Sequence, residues 1–458
     1  MKPLQDKEII VTTKPYLTGH YTPVPDETTA VDLPVTGALP PELTGEYLRN
    51  GHNPKPGITP SHWFKGSGML HGVRLENGRA RWYRNRWVKT PALEGAPLVR
   101  EDGSIDLTAS VAGTHIVEHG GRLLALQEAN LPFEVTPELD TVGPFDFHGK
   151  LTSAMTAHPK QDPATGELHF FSYSPFPPHL TYYVASPEGH ITRSQVIDGS
   201  GPSLMHDFAI TATKAVFLDL PVVFDPAETS GIPYRWHDDY PARIGVFDRV
   251  GTPHVTWIPV SQRALLHVTN AYDTPDGKIV LEGPAYDQAS WATSWKWWTG
   301  APGYPAAPVS GAIATRWLLD PATGTATEQE LDDLVTDFPT INEDRTGLPT
   351  AISYSVAFPG AGLDEFAIVK LNTATGERRL HRPGPDRHAG EAVFVPAAGA
   401  TGEDDGYLLT IVSDLRANAS QLLVLDAHDL STTATVALPR RVPSGIHGSW
   451  IPDERLTS

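Results

Sequence analysis

Apolar residues recur along this chain in short alternating runs. GRLLALQE (121–128), ELHFFSYS (167–174), KAVFLDL (214–220), KIVLEG (278–283), EFAIVKL (365–371), YLLTIVS (407–413) and QLLVLDA (421–427) combine a period of two with β-branched and aromatic side chains. That pattern predicts strands buried on one or both faces. Between them lie turn words of one kind: ENGR (76–79), DPATGE (162–167), SPEGH (186–190), TPDGK (274–278), DPATGT (320–325) and NTATGE (372–377). In each, glycine supplies the positive φ of a tight hairpin. Strands that recur this evenly without helical crossovers predict an all-β propeller or sandwich. Two segments break the rhythm, DDLVTDF (332–338) and QASWATSWKWW (288–298), and both read as helix or long loop. Neither marks a linker, so residues 1–458 read as one domain.

The 43 prolines and 40 glycines are scattered rather than clustered, which suits short strands and tight turns and argues against long helices. With 40% apolar and 19% charged residues, the chain has the composition of a folded protein with a large core. Its 54 acidic against 35 basic residues give a formal charge of -19. Such a surface repels phosphate backbones and anionic head groups, which argues against nucleic acid as a partner. No run reaches the ~18 apolar residues of a membrane helix. The opening MKPLQDKEII lacks the apolar stretch of a secretion signal, so a cytoplasmic protein without stable membrane insertion is expected.

The absence of cysteine excludes disulfides, thiolate metal sites, iron–sulfur clusters and a cysteine nucleophile. Any metal must therefore be held by imidazole, carboxylate or carbonyl groups. Of the 19 histidines, four stand beside small or aromatic residues at strand ends or turns: His158 in TAHPK, His206 in MHDF, His267 in LHVTNAYD and His447 in GIHGSW. Four neutral imidazoles add no negative charge and leave a divalent first-row metal open positions. They are far apart in sequence, match no local metal motif, and can converge only if the fold closes around an axis. The alternative is that they are turn or core histidines satisfied by backbone carbonyls.

From about residue 15 to 452 the sequence resembles the carotenoid cleavage oxygenases, a family that includes stilbene- and alkenylphenol-cleaving members. LTGEYLRNGHNP (43–54), HWFKGSGMLHGV (62–73) and ARWYRNRWVKT (80–90) look like the family's opening segment, with His52 where proline is usual and Ser67 where aspartate is usual. The four histidines follow in the family's order. The resemblance implies an all-β, seven-bladed β-propeller with a capping dome of loops and short helices. It implies Fe(II) held by His158, His206, His267 and His447. Glu128, Glu343 and Glu391 are then expected to accept the Nδ1 protons of three of these ligands, a role that fixes each tautomer and raises imidazole basicity.

The implied activity is cleavage of a C=C bond with O2 to give two carbonyl products, with a small apolar alkene as partner. A non-catalytic propeller scaffold with incidental histidines is the reading from another class. Nothing in the sequence carries a Ser-His-Asp arrangement, a phosphate loop or a dinucleotide fingerprint. Trp63 follows the family's pocket pattern. Stilbene-cleaving relatives place a lysine where Gln127 stands, with an upstream tyrosine that has no counterpart in 91–115. LQEANLPFEVTPELDTVGPFDFHGKL (126–151) instead resembles the bacterial carotenoid-cleaving branch. The segment 220–247 also lacks the apolar insertion of membrane-associated members. An apocarotenoid or carotenoid is the expected substrate, with hydroxystilbenes or alkenylphenols such as isoeugenol or vinylguaiacol as the alternative.

Overall fold

In a computed structural model, residues 14–456 are described apart from 229–230, 252, 306–309 and 361–362. The opening decapeptide and the start of the single-domain reading thus lie outside the described residues. Each of the seven alternating runs forms a strand, from Arg122–Leu126 to Ala419–Asp426. The hairpin between Met69–Glu76 and Arg79–Trp87 turns on Asn77 and Gly78, both at positive φ (50° and 71°), as two-residue turns between twisted strands require.

The strands form antiparallel sheets in chain order. Three are four-stranded and run from His115 to Pro144, from Lys160 to Val196 and from Phe208 to Pro259. An eight-stranded sheet follows, joined through the 16-residue strand Thr325–Thr340. That strand pairs with Ile313–Asp320 over one part and with Ile352–Ala357 over another. DDLVTDF, expected as helix or loop, lies inside it. The segment is extended because it is bonded on both sides, and Leu334, Thr336 and Asp337 are buried while the acidic Asp333 faces out. The tryptophan-rich segment, by contrast, is the helix Gln288–Thr299. Asp287 caps its start, accepting from Ser290 N at 2.8 Å, and Gly300 ends it at φ 59°, a left-handed position that glycine occupies without strain.

Distant parts of the chain meet in two places. Gly448–Pro452 pairs with Gly45–Arg49 in the first sheet, and Val35–Gly37 pairs with Thr432–Ala437 in the last. No helix among the described residues is long and apolar enough to cross a membrane.

Aliphatic side chains fill the sheet interiors, as in the cluster of Val216, Ile244, Ile279, Leu281 and Leu319. A second kind of core gathers over one end of the sheets: Tyr21, Trp63, Tyr286, Trp291, Trp297 and Trp298, with Phe64 and Phe338 packed against it. The helix and the short 3-10 turn Trp63–Lys65 supply five of these eight rings.

Candidate metal centre

The four histidines converge. Each stands just ahead of a strand, respectively Lys160–Gln161, Phe208–Ile210, Asn270–Asp273 and Gly448–Pro452, so the ends of four separate sheet segments aim them at one point. One ring nitrogen from each lies within 4.8 Å of the others. Thr156 links the first two, donating to the His206 carbonyl at 3.3 Å while accepting from His158 N at 3.1 Å.

Three rings have their outer nitrogen engaged by a carboxylate. His206 Nδ1 pairs with Glu128, His267 Nδ1 with Asp337 at 2.7 Å, and His447 Nδ1 with Glu391 at 2.6 Å. The carboxylates are themselves held. Tyr173 donates to Glu128 and Tyr286 to Asp337, both at 2.5 Å. Gly448 N donates to Glu391 at 3.0 Å. Among the described residues no carboxylate pairs with His158.

A carboxylate can only accept, so each paired ring carries its proton on Nδ1 and presents a lone pair at Nε2. Burial, and behind it the neighbouring imidazoles, hold His158, His206 and His447 well below the usual imidazole range, so these rings are neutral. For His267 burial is outweighed by the charge and hydrogen bond of Asp337, which hold it above that range, so its Nε2 offers a lone pair only once a bound cation has displaced the second proton.

The consequence is a cage of electron pairs. The Nε2 atoms of His158 and His206 stand 2.9 Å apart, and buried His447 Nε2 has no partner among the described residues. With His206 Nε2 fixed as an acceptor, a neutral His158 can bridge this gap only by carrying its proton on Nε2, and a cation taking that proton's place would be bound by both nitrogens. The donor set therefore fits a first-row divalent metal bound by imidazole, with positions left open.

On one side the centre opens into a cavity of about 350 Å³ lined by His115, Lys160, Asp207, Glu343, Glu391 and Ser449, among others. On the other, the ring of Phe338 sits 5.2 Å from that of His267 and 5.5 Å from that of His447, joining the centre to the aromatic cluster.

The family model described as retinal pigment epithelial membrane protein matches residues 21–452. A carotenoid cleavage oxygenase of Mycobacterium tuberculosis is 38% identical, over 96% of this chain and 97% of the relative. The chain belongs to the carotenoid cleavage oxygenase family. Among solved structures, the lignostilbene dioxygenase of Pseudomonas brassicacearum superposes with a TM-score of 0.83 at 29% identity, covering 96% of this chain and 98% of that one. Cobalt-substituted apocarotenoid oxygenase from Synechocystis superposes with a TM-score of 0.82 at 26% identity, again over 96% and 98%. The protein is accordingly an alkene-cleaving dioxygenase of this family.

Within this oxygenase the structure brings His158, His206, His267, His447, Glu128 and Glu391 together and places Glu343 apart from them. Glu128 and Glu391 pair with ligand histidines, but Glu343 does not. Asp337, six positions earlier in DFPTINE, occupies the role expected of it. Asp337 lies on the strand Thr325–Thr340, and His267 is close enough for the shorter side chain to reach its Nδ1. Glu343 starts a one-turn 3-10 helix at the cavity wall.

Asp337 was legible only to a reading that placed 332–338 in a strand and accepted aspartate for glutamate. Tyr173 and Tyr286 carried no sequence signal. Asp207 bonds the backbone N–H of Phe208 and Val268 at 2.7 and 2.8 Å and pairs with Lys160 at 2.8 Å, so it ties His206 to His267. Asn270 holds the turn that carries Glu343, donating to Leu348 O at 2.9 Å and accepting from Gly347 N at 3.1 Å. Gln127 accepts from Thr114 Oγ1 at 2.9 Å. Trp63 packs edge-on against Tyr21 and Trp297 at 5.3 and 5.4 Å.

Proposed function

We propose that His158, His206, His267 and His447 hold one Fe(II), and that the protein cleaves a C=C bond of an apocarotenoid or carotenoid with O2, yielding two carbonyl fragments. The observation that carries this reading is the set of inward lone pairs, three of them enforced by Glu128, Asp337 and Glu391. Bound iron supplies the redox chemistry by which dioxygen is activated. The chain's own residues do the rest. The carboxylates keep each Nε2 deprotonated and raise its basicity. The aromatic cluster over the centre excludes water and offers flat apolar faces to a polyene. The polar cavity on the opposite side gives small molecules a separate approach.

Seven blades are obtained when the eight-stranded sheet is divided along Thr325–Thr340 and counted with the other five large sheets. The helix Gln288–Thr299 and the loops around Trp63 then form the dome. One domain so built would place the four ligand histidines around the axis.

At the position where stilbene-cleaving members carry lysine, Gln127 is neutral and its oxygen is engaged by Thr114. That favours a polyene over a phenolate. The reading for aryl alkenes rests on the superposition with the lignostilbene dioxygenase. Both are tested by incubating iron-loaded protein with apocarotenals, hydroxystilbenes and para-alkenylphenols under labelled O2 and identifying the carbonyl products by mass. Fast cleavage of phenols with apocarotenals untouched would reject the preferred substrate. Iron-free protein after anaerobic Fe(II) loading would reject the metal assignment.

A further inference from the structure

We infer that His52 is a specificity residue whose Nε2 accepts a hydrogen bond from a hydroxyl group at one end of the alkene substrate. The inference rests on the alkene-cleaving reading of the same site and narrows its substrate class.

The tautomer of His52 is fixed by its surroundings. Its Nδ1 lies 2.8 Å from the carbonyl oxygen of Gly66. A carbonyl only accepts, so Nδ1 carries the proton and Nε2 bears a lone pair. Burial pulls the ring's pKa down to about 4 despite that carbonyl, which leaves it neutral near pH 7. His52 is 4% exposed, and its Nε2 has no hydrogen-bond partner among the described residues. Buried acceptors are nearly always paired, and an unpaired one is costly to keep. Such violations of local satisfaction gather at functional sites.

Two further observations place this ring between the aromatic cluster and the segment that carries Gln127. Its ring packs edge-on against Trp63 and Phe64, at 6.2 and 5.9 Å, within the aromatic layer over the metal centre. Phe64 is only half-buried, and a second unpaired buried nitrogen, His62 Nδ1, belongs to a ring packed on it at 6.3 Å. On its other side His52 abuts Gly113, where a Cβ would come within 2.5 Å of Nδ1. The N–H of Gly113 points to Gln127 Oε1 at 3.4 Å, and the next residue, Thr114, accepts from the N–H of the ligand His447 at 3.2 Å. His52 is thus separated by one glycine from Gln127, the residue preceding Glu128.

A hydroxyl could belong to the ring of an apocarotenoid or to a phenol, and matched pairs separate the two. Full-length protein, wild type and the variants His52→Leu and His52→Gln, is assayed with ring-hydroxylated against unsubstituted apocarotenals, and with hydroxystilbene against stilbene. Binding is followed independently of turnover by quenching of tryptophan fluorescence in iron-free protein. Wild type is expected to show a KM and a Kd about tenfold lower for the hydroxylated member of one pair, the factor that one neutral hydrogen bond supplies.

In His52→Leu that preference falls to about one, and His52→Gln recovers part of it. An unchanged preference in His52→Leu overturns the inference. So does the absence of any preference in wild type, a result that holds even if the leucine variant does not fold. Hydroxyl-dependent quenching that needs His52, without cleavage of either class, would uphold the inference and reject the proposed reaction instead.

Discussion

Asp337 bridges the ligand His267 and the phenol of Tyr286, accepting from the first at 2.7 Å with one oxygen and from the second at 2.5 Å with the other. Burial alone would raise its carboxyl. The charge of His267 and these hydrogen bonds hold it below the ordinary range instead. Replacing it with Ala removes the acceptor that fixes the His267 tautomer. Iron affinity is expected to fall about 10- to 100-fold, measured by competition with a chelator. Tyr286→Phe, which leaves the His267 bond in place, should cost far less.

Glu343 and Glu391 make opposite predictions although both line the same cavity. Glu391→Gln loses the charged acceptor of His447 Nδ1 and should weaken iron binding by at least about tenfold. Glu343→Gln should leave the iron Kd within about twofold. Equal losses in the two variants would return to Glu343 a ligand-orienting role like that of Asp337.

Removing the metal should destabilise the fold. An ion that binds only the native state adds about 2.7 kcal/mol at a hundredfold excess over its Kd. Chelation is expected to lower the Tm by several degrees, and anaerobic Fe(II) or Co(II) to restore it. In His206→Ala and His447→Ala the metal-dependent shift should vanish.

Glu46 sets a pH dependence remote from the centre. It stands across the first sheet from Arg74, whose guanidinium is taken by Asp453, and one of its oxygens has no partner among the described residues. Burial pushes its pKa up to about 8. The native state then keeps a proton that the unfolded chain has lost between about pH 4.5 and 8, so this residue's contribution to stability declines as pH rises through that window. Glu46→Gln should match wild type near pH 4.5. At pH 8.5 it should be more stable by roughly 2 to 4 kcal/mol, read from denaturant midpoints. A difference that does not change with pH would refute the assignment.

Hydrophobic alternation located every strand tested by it, because a strand buried on one or both faces writes its period directly into the sequence. DDLVTDF escaped because its acidic residues mask the period, and its extended form is imposed by neighbours on both sides rather than by local preference. The ligand histidines were recognisable through their order and flanking residues. Their convergence depends on sheets that no local pattern encodes. The carboxylates were half legible for the same reason. Glu128 and Glu391 matched in kind, while Asp337 exchanged a longer side chain for a shorter reach. The unpaired nitrogen of His52 had no sequence signal beyond an unexpected residue type, because satisfaction of a buried atom is a property of packing.

The pairing of Gly448–Pro452 with Gly45–Arg49 has a temporal side. His447 immediately precedes that strand, so the fourth imidazole is positioned only when a late-synthesised segment docks against one of the earliest. A chain in which these two strands have not paired presents at most three of the four imidazoles, so a completed cluster reports that segments far apart in the sequence have met.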